Sequence, residues 1–304
     1  MIGSHSAEAV FGSFTRGDSD EFSDRDILIV SDDLLHLKDR RIQLEAVGWS
    51  VASYTWSKLE ALSRARALFI QHLKLESSVL RDDNGRLTDI LSRFEPKHSY
   101  SLEIEKNLDL IGLVRRYPDG SRGSQWGADV IYVCLRNYGV LKLAELGKYV
   151  FSFHAILDEL SNASIIDSRS ADKLRRLRWM KSLYRNGETL PAITAQKVLK
   201  SVLDALPGDL QIDAAPCSPW SIIESAQPMD SNAPAYQRLR NLEKIYISFS
   251  EVSGSVCLLP EFIKLKSWIE DPRSYACFAK ANECDLLVQA KIAARELGRL
   301  CRAG

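Results

Sequence analysis

VFGSFTRGDSDEFSDRDILIV, residues Val10 to Val30, reads as a strand running into a turn at Gly12-Ser13. A polar loop and a second strand carrying Asp24 and Asp26 follow. Side chains alternate along a strand, so carboxylates two positions apart project from one face. A Gly-Ser turn offers backbone N–H groups to phosphate, and paired carboxylates offer oxygens to Mg²⁺. The spacing alone favours a β-hairpin with a solvated acidic rim.

The residues between decide for the first reading. Phe11, Gly12-Ser13, the ten residues Phe14 to Ser23, Asp24-Arg25-Asp26 and the apolar Ile27 to Val30 follow one another in order. Arg16-Gly17 and Ser23-Asp24 complete the pattern. The stretch resembles the signature of the DNA polymerase β-like nucleotidyltransferase superfamily, especially its minimal members. The resemblance covers about the first ninety residues. It implies a small mixed sheet with flanking helices, phosphate binding by Gly12, Ser13 and Arg16, and Mg²⁺ or Mn²⁺ held by Asp24 and Asp26. It also implies an NTP substrate, with ATP favoured.

Composition sets outer bounds. The 304 residues allow two domains, or one large one. Forty acidic and forty basic residues cancel, which argues against a dedicated nucleic-acid binder while allowing a local basic groove. No apolar run approaches the roughly 18 residues that cross a bilayer. The start, MIGSHSAEAV, has no basic n-region and no apolar h-region, so no secretory signal is read. Cys134, Cys217, Cys257, Cys277, Cys284 and Cys301 are widely spaced, without Cys-x-x-Cys. They read as reduced, buried small hydrophobes of a cytoplasmic protein.

Glu8 to Phe11 reads as the strand entering the turn. Relatives usually carry a helix ahead of it; here only about seven residues precede it. Either that helix is trimmed, or one from elsewhere covers the flank. Residues 31–46 read as a helix capped by Ser31 or Asp32 and ended by Gly48. Trp49 to Thr55 reads as a third strand, Thr55 to Leu75 as one helix, and Ser78 to Arg81 as a short strand before the turn Asp83-Asn84-Gly85.

That third strand departs from the family pattern. Active members place a third carboxylate beside the Asp-x-Asp strand, to help bind a second metal and to deprotonate the acceptor. Between Glu45 and Glu60 this chain has no acid; Ser50, Ala52 and Ser53 stand there. Glu76, Asp82 and Asp83 are candidate substitutes, each set against a surface or turn role. His72, among leucines, reads first as a structural histidine.

From Ser99 onward the pattern is helical: about 100–116, 124–147, 150–160, 170–186, 191–206, 219–226, 234–249, 258–270 and 272–301. Glu95 to His98 reads as a linker. The expected fold is α+β: a nucleotidyltransferase domain at 1–95, then an all-α bundle at 96–304, with a possible division at the Pro/Ser-rich stretch 207–233. Tyr117 to Trp126 reads as a polar loop able to line a cleft. Antibiotic-modifying nucleotidyltransferases, which the architecture also resembles, use a base outside the Asp-x-Asp strand; Asp129 and Glu145 are candidates by that analogy. Arg175, Arg176, Arg178, Lys181 and Arg185 make a basic helix over a leucine seam. It is a solvated face or a contact for polyphosphate, tRNA or an acidic protein. Arg136 and His154 are too far apart for the Arg/His pair of the helical RNases often linked to small nucleotidyltransferases.

The expected activity is transfer of NMP from an NTP to a hydroxyl acceptor, with release of pyrophosphate. The acceptor is left open among a protein side chain, a small molecule, a tRNA end and a second nucleotide. The competing expectation is a degenerate member that binds nucleotide or a protein partner without turnover.

Overall fold

The computed structural model describes residues 5–17, 24–230 and 232–253, with a few isolated positions beyond. Of the helices expected at 258–270 and 272–301 only isolated positions are described, and Cys257, Cys277, Cys284 and Cys301 lie outside the described residues. The fold is α+β, with a mixed four-stranded sheet, flanking helices and then a helical region. By compactness the chain forms two units, one of residues 1–104 and 138–160, the other of 105–137 and 161–304.

In the first unit the sheet has the order β3-β2-β1-β4, with β1 Ser6–Phe11, β2 Arg25–Ser31, β3 Trp49–Tyr54 and β4 Ser78–Asp82. Strand β1 pairs antiparallel with β2 and β4, while β2 and β3 run parallel through the crossover helix α2, Leu34–Ala46. Parallel neighbours require such a crossover, and α2 supplies it. Alternation sorts the side chains into two cores. One holds Ala7, Ala9, Phe11, Leu28 and Val30 against Trp56, Leu59, Ile70, Leu73, Leu87 and Leu91. The other holds Val10, Ile27, Ile29 and Val51 against Leu37 and Leu44 of α2. Asp26 therefore shares the face of Leu28 and Val30, and Arg25 the face of Ile27.

Two local expectations are corrected. Asp33, not Ser31 or Asp32, caps α2, accepting from the N–H groups of Leu35 and His36 at 3.0 Å each. Ser31 cannot cap it because β2 runs on through Ser31 to pair with Ser6. The single helix expected from Thr55 to Leu75 is two, α3 Trp56–Arg64 and α4 Leu68–Glu76, with Arg66 between them at φ 53°. A positive φ on a non-glycine residue is incompatible with a continuous helix. The apolar spacing survives because both helices pack on the same sheet face. Helix α5, Arg86–Arg93, follows β4.

The region after Ser99 holds α6 Ser101–Ile111, α7 Ser121–Glu145, α8 Phe153–Asn162, α9 Ser168–Leu174 and α10 Arg176–Arg185. Then come α11 Ala192–Leu203, α12 Pro219–Ser225 and α13 Ala235–Ser253. It is not free of strands. Three-residue β5, Arg116–Pro118, pairs in parallel with β6, Ala215–Cys217. The cleft loop expected at Tyr117 to Trp126 is instead β5 followed by the first turns of α7, and Tyr117 and Trp126 are buried. Among the described residues no helix is long and apolar enough to cross a membrane. Cys134 is buried, as expected; Cys217 is only half-buried.

Candidate nucleotide site

The turn at the end of β1 is shaped by Gly12, which has φ 78° and ψ −149°, a conformation open essentially to glycine alone. Its carbonyl accepts the N–H groups of Thr15 and Arg16 at 3.2 Å, closing the short helix α1, Ser13–Arg16. Gly12 is also where the two halves of the motif meet. A Cβ placed on it would lie 3.0 Å from Asp26 Oδ2. Strand pairing sets Phe11 directly opposite Asp26, which brings that carboxylate beside the turn. Ser13 Oγ lies 3.5 Å from the Asp24 carbonyl oxygen, and Asp24 itself is exposed immediately before β2. The structure thus brings Gly12, Ser13 and Asp26 together, with the Asp24 backbone beside Ser13.

Helix α1 is tied down on both sides. On one, Arg25 lies over the Trp49 ring at 4.2 Å and within 5.5 Å of the Phe14 ring, while Phe14 meets Trp49 edge-on at 5.5 Å. On the other, Thr15 Oγ1 donates to the Glu76 carbonyl at 2.6 Å, and the Arg16 guanidinium pairs with the Glu76 carboxylate. His72 Nε2 is 2.9 Å from the same carboxylate. Burial pushes the Glu76 carboxyl up, but the hydrogen bond and charge of His72, and then Arg16, outweigh it and hold it below its ordinary value. Sequence reasoning noticed Arg16, His72 and Glu76 singly and missed their union. Arg25, Phe14 and Trp49 were missed altogether; the signal available was an arginine between the two aspartates.

The expected third carboxylate is not beside Asp26 on β3. Parallel register places Ser50 opposite Asp26 and Ala52 opposite Leu28. The substitutes have other duties. Asp82 accepts the N–H groups of Leu87 and Thr88 at the start of α5, and Asp83 takes Arg81 and the Ser6 N–H. Glu145 accepts the Tyr100 N–H at 2.8 Å. Asp129 is fully buried, with Arg185 at 2.5 Å and Arg240 at 2.7 Å. The basic helix is partly consumed as well: Arg185 turns inward to Asp129, Lys181 lies over Tyr132 at 4.9 Å, and Arg175 pairs with Asp172. Among the described residues no group of three or more His, Cys, Asp or Glu side chains is disposed to hold a metal ion. Two carboxylates still suit Mg²⁺, which keeps waters and takes substrate phosphate oxygens as its remaining ligands.

Residues 7–75 match the family model described as a nucleotidyltransferase domain. No curated protein and no solved structure matches the chain. The turn, the Asp-x-Asp strand and the mixed sheet all lie within the matched residues, so this part of the chain is a nucleotidyltransferase domain, consistent with the polymerase β-like superfamily.

Proposed function

We propose that the protein transfers a nucleoside monophosphate from an NTP to a hydroxyl acceptor in the cytoplasm, with ATP the first nucleotide to test. The observation that carries the reading is the approach of Asp26 to Gly12, a carboxylate able to take a metal ion beside a turn able to take phosphate. The backbone N–H groups at Gly12 and Ser13, with the Ser13 hydroxyl, receive the β- and γ-phosphates. Asp24 and Asp26 would hold Mg²⁺ or Mn²⁺, whose charge would offset that of the phosphates. Arg16 neutralises charge as it gathers on the leaving pyrophosphate. The acceptor oxygen bonds to the α-phosphorus as the bond to the bridging oxygen breaks; the electron pair leaves on pyrophosphate and the acceptor proton passes to solvent. The chain's part is positioning and charge stabilisation, as in phosphoryl transfer generally. A protein side chain, a small molecule, a tRNA end and a second nucleotide all remain acceptors to test.

Incubation with each α-labelled NTP and Mg²⁺, with and without cell lysate, identifies nucleotide and acceptor class together. The double variant Asp24→Ala/Asp26→Ala is expected to lose transfer by several orders of magnitude, on the order of the 10³-fold or more that electrostatic groups supply. Pyrophosphate release at the wild-type rate by that variant refutes the reading.

Ser50 opposite Asp26 favours a second reading, in which the domain binds nucleotide or a partner without turnover. Saturable, Mg²⁺-dependent NTP binding with no pyrophosphate release under any acceptor condition selects it.

A further inference from the structure

Glu76 is the last residue of α4 and lies just past the residues that match the family. It is oddly placed. The C-terminal end of a helix carries the negative end of the macrodipole, where a carboxylate is disfavoured. Its side chain is also only 13 % exposed, and burying a carboxylate is costly unless it is paired. Both costs are met by side chains that converge on it. Arg16 comes from α1, and His72 comes from one turn earlier on α4. The His72 ring is in turn fixed, stacked on Phe151 at 4.3 Å and edge-on to Phe11 at 5.4 Å. The backbone joins in, since the Glu76 carbonyl takes the Thr15 hydroxyl at 2.6 Å. Two consecutive residues of α1, Thr15 and Arg16, one position beyond the Gly12-Ser13 turn, therefore end on this one residue.

These contacts leave Glu76 poorly suited to act as a base, because its carboxylate already faces two cationic or donor groups. They suit another role. A free arginine side chain loses about 2 kcal/mol of rotamer entropy when a ligand immobilises it. An arginine already held by a carboxylate has met that cost before the ligand arrives. The guanidinium carries five N–H donors in a rigid fork, so one group can serve a carboxylate and a phosphate together. We propose that Glu76 is a positioning residue of the nucleotide site: its carboxylate orients Arg16, and its carbonyl anchors Thr15, so that turn and arginine are preset for the β- and γ-phosphates. This rests on the nucleotide reading above and adds to it a residue from outside the motif.

The test is calorimetric titration of the full chain in Mg²⁺ with α,β-methylene-ATP and, separately, with AMP, which has no β- or γ-phosphate. Glu76→Gln is expected to weaken the triphosphate analogue about tenfold, the size of one charge-assisted hydrogen bond, and to leave AMP unchanged. Arg16→Ala should do the same, and Glu76→Gln in the Arg16→Ala background should add nothing. Equal weakening of AMP, or effects that add in the double variant, means that Glu76 only supports the fold, and overturns the proposal. Should Glu76→Gln not fold, Thr15→Val removes the hydroxyl shared by the Glu76 carbonyl at 2.6 Å and the Gly12 carbonyl at 2.8 Å, and the same contrast between analogue and AMP decides. If the wild-type chain does not bind the analogue, the nucleotide reading falls and the proposal with it. Wild-type binding that Asp24→Ala/Asp26→Ala leaves intact overturns the metal-site reading while leaving the Glu76 comparison to stand or fall by its own result.

Discussion

At Gly12 a single backbone conformation and a single close approach coincide. Alanine there must adopt φ 78° and ψ −149°, and its Cβ would sit 3.0 Å from Asp26 Oδ2. Gly12→Ala is expected to cost about 1–3 kcal/mol in urea unfolding, and to weaken Mg²⁺-dependent nucleotide binding more than that cost explains, because the carboxylate must move. Lys244 gives a residue-scale prediction of the opposite sign. Burial, and then the Arg116 charge, lower its ammonium to about 8, with a 3.3 Å bond to the Leu113 carbonyl as its hydrogen-bond contact. The depressed value means that the unfolded chain holds this proton more tightly than the folded one. Between pH 8 and the ordinary value of 10.5, stability from this group rises with pH; at pH 7 the buried charge is a full penalty. Lys244→Met should therefore stabilise the protein at pH 7, by about 1–3 kcal/mol, and the gain should fade above pH 10. Equilibrium unfolding at the two pH values checks both statements.

Among the elements, α1 is held by the Arg25 sandwich and α7 by close packing at its glycines. Arg25 occupies the position between the two aspartates but, by strand alternation, stands on the opposite face with Trp49 and Phe14. A double-mutant cycle of Arg25→Ala with Trp49→Leu should return a coupling of about 0.5–1 kcal/mol, the size of an exposed cation–π contact. In α7, a Cβ on Gly123 would lie 1.8 Å from the Pro118 carbonyl oxygen, and one on Gly139 would lie 2.2 Å from Ile156 Cγ2. The first obstacle is backbone and cannot yield; the second is a side chain that can repack. Gly123→Ala is accordingly expected to destabilise by more than Gly139→Ala, for which the usual overpacking cost is about 1–3 kcal/mol. Thermal melts of the two variants rank them directly.

At the largest scale, the second unit is organised around a buried charge network rather than apolar contacts alone. Asp129 of α7 meets Arg185 of α10 and Arg240 of α13, Arg240 meets Glu243 at 2.5 Å, and the Tyr184 hydroxyl donates to Glu243 at 2.6 Å. Burial pushes the Asp129 carboxyl up, yet Arg240 and Arg185 hold it net below its ordinary value. With a lowered folded value, its contribution is complete above the unfolded value of 3.8 and is lost as pH falls through the folded one. Asp129→Ala takes their shared carboxylate from half-buried Arg185 and buried Arg240, leaving Arg240 with Glu243, and should cost about 3 kcal/mol at pH 7. The deficit against wild type should shrink in acid, as urea titrations from pH 7 to pH 3 will show.

The sequence by itself determined the nucleotidyltransferase domain. Its signature is local: a turn only glycine can make, two acids at strand spacing, and an apolar run that must be a buried strand, all within twenty-one residues. It also showed that β3 lacks an acid, because parallel register makes the neighbour of Asp26 a matter of counting, and the count falls on Ser50. The duties of the other charges were decided only by the tertiary structure. Asp82 became a helix cap, Asp129 a buried anchor and Glu76 the partner of Arg16 and His72. The break at Arg66 and the pairing of β5 with β6 were likewise invisible in advance, since neither has a periodic signal. The physical reason is range. Alternation, helix period and glycine conformation act between near neighbours in the chain, whereas an ion pair such as Arg16 with Glu76 joins residues that only the folded backbone brings together.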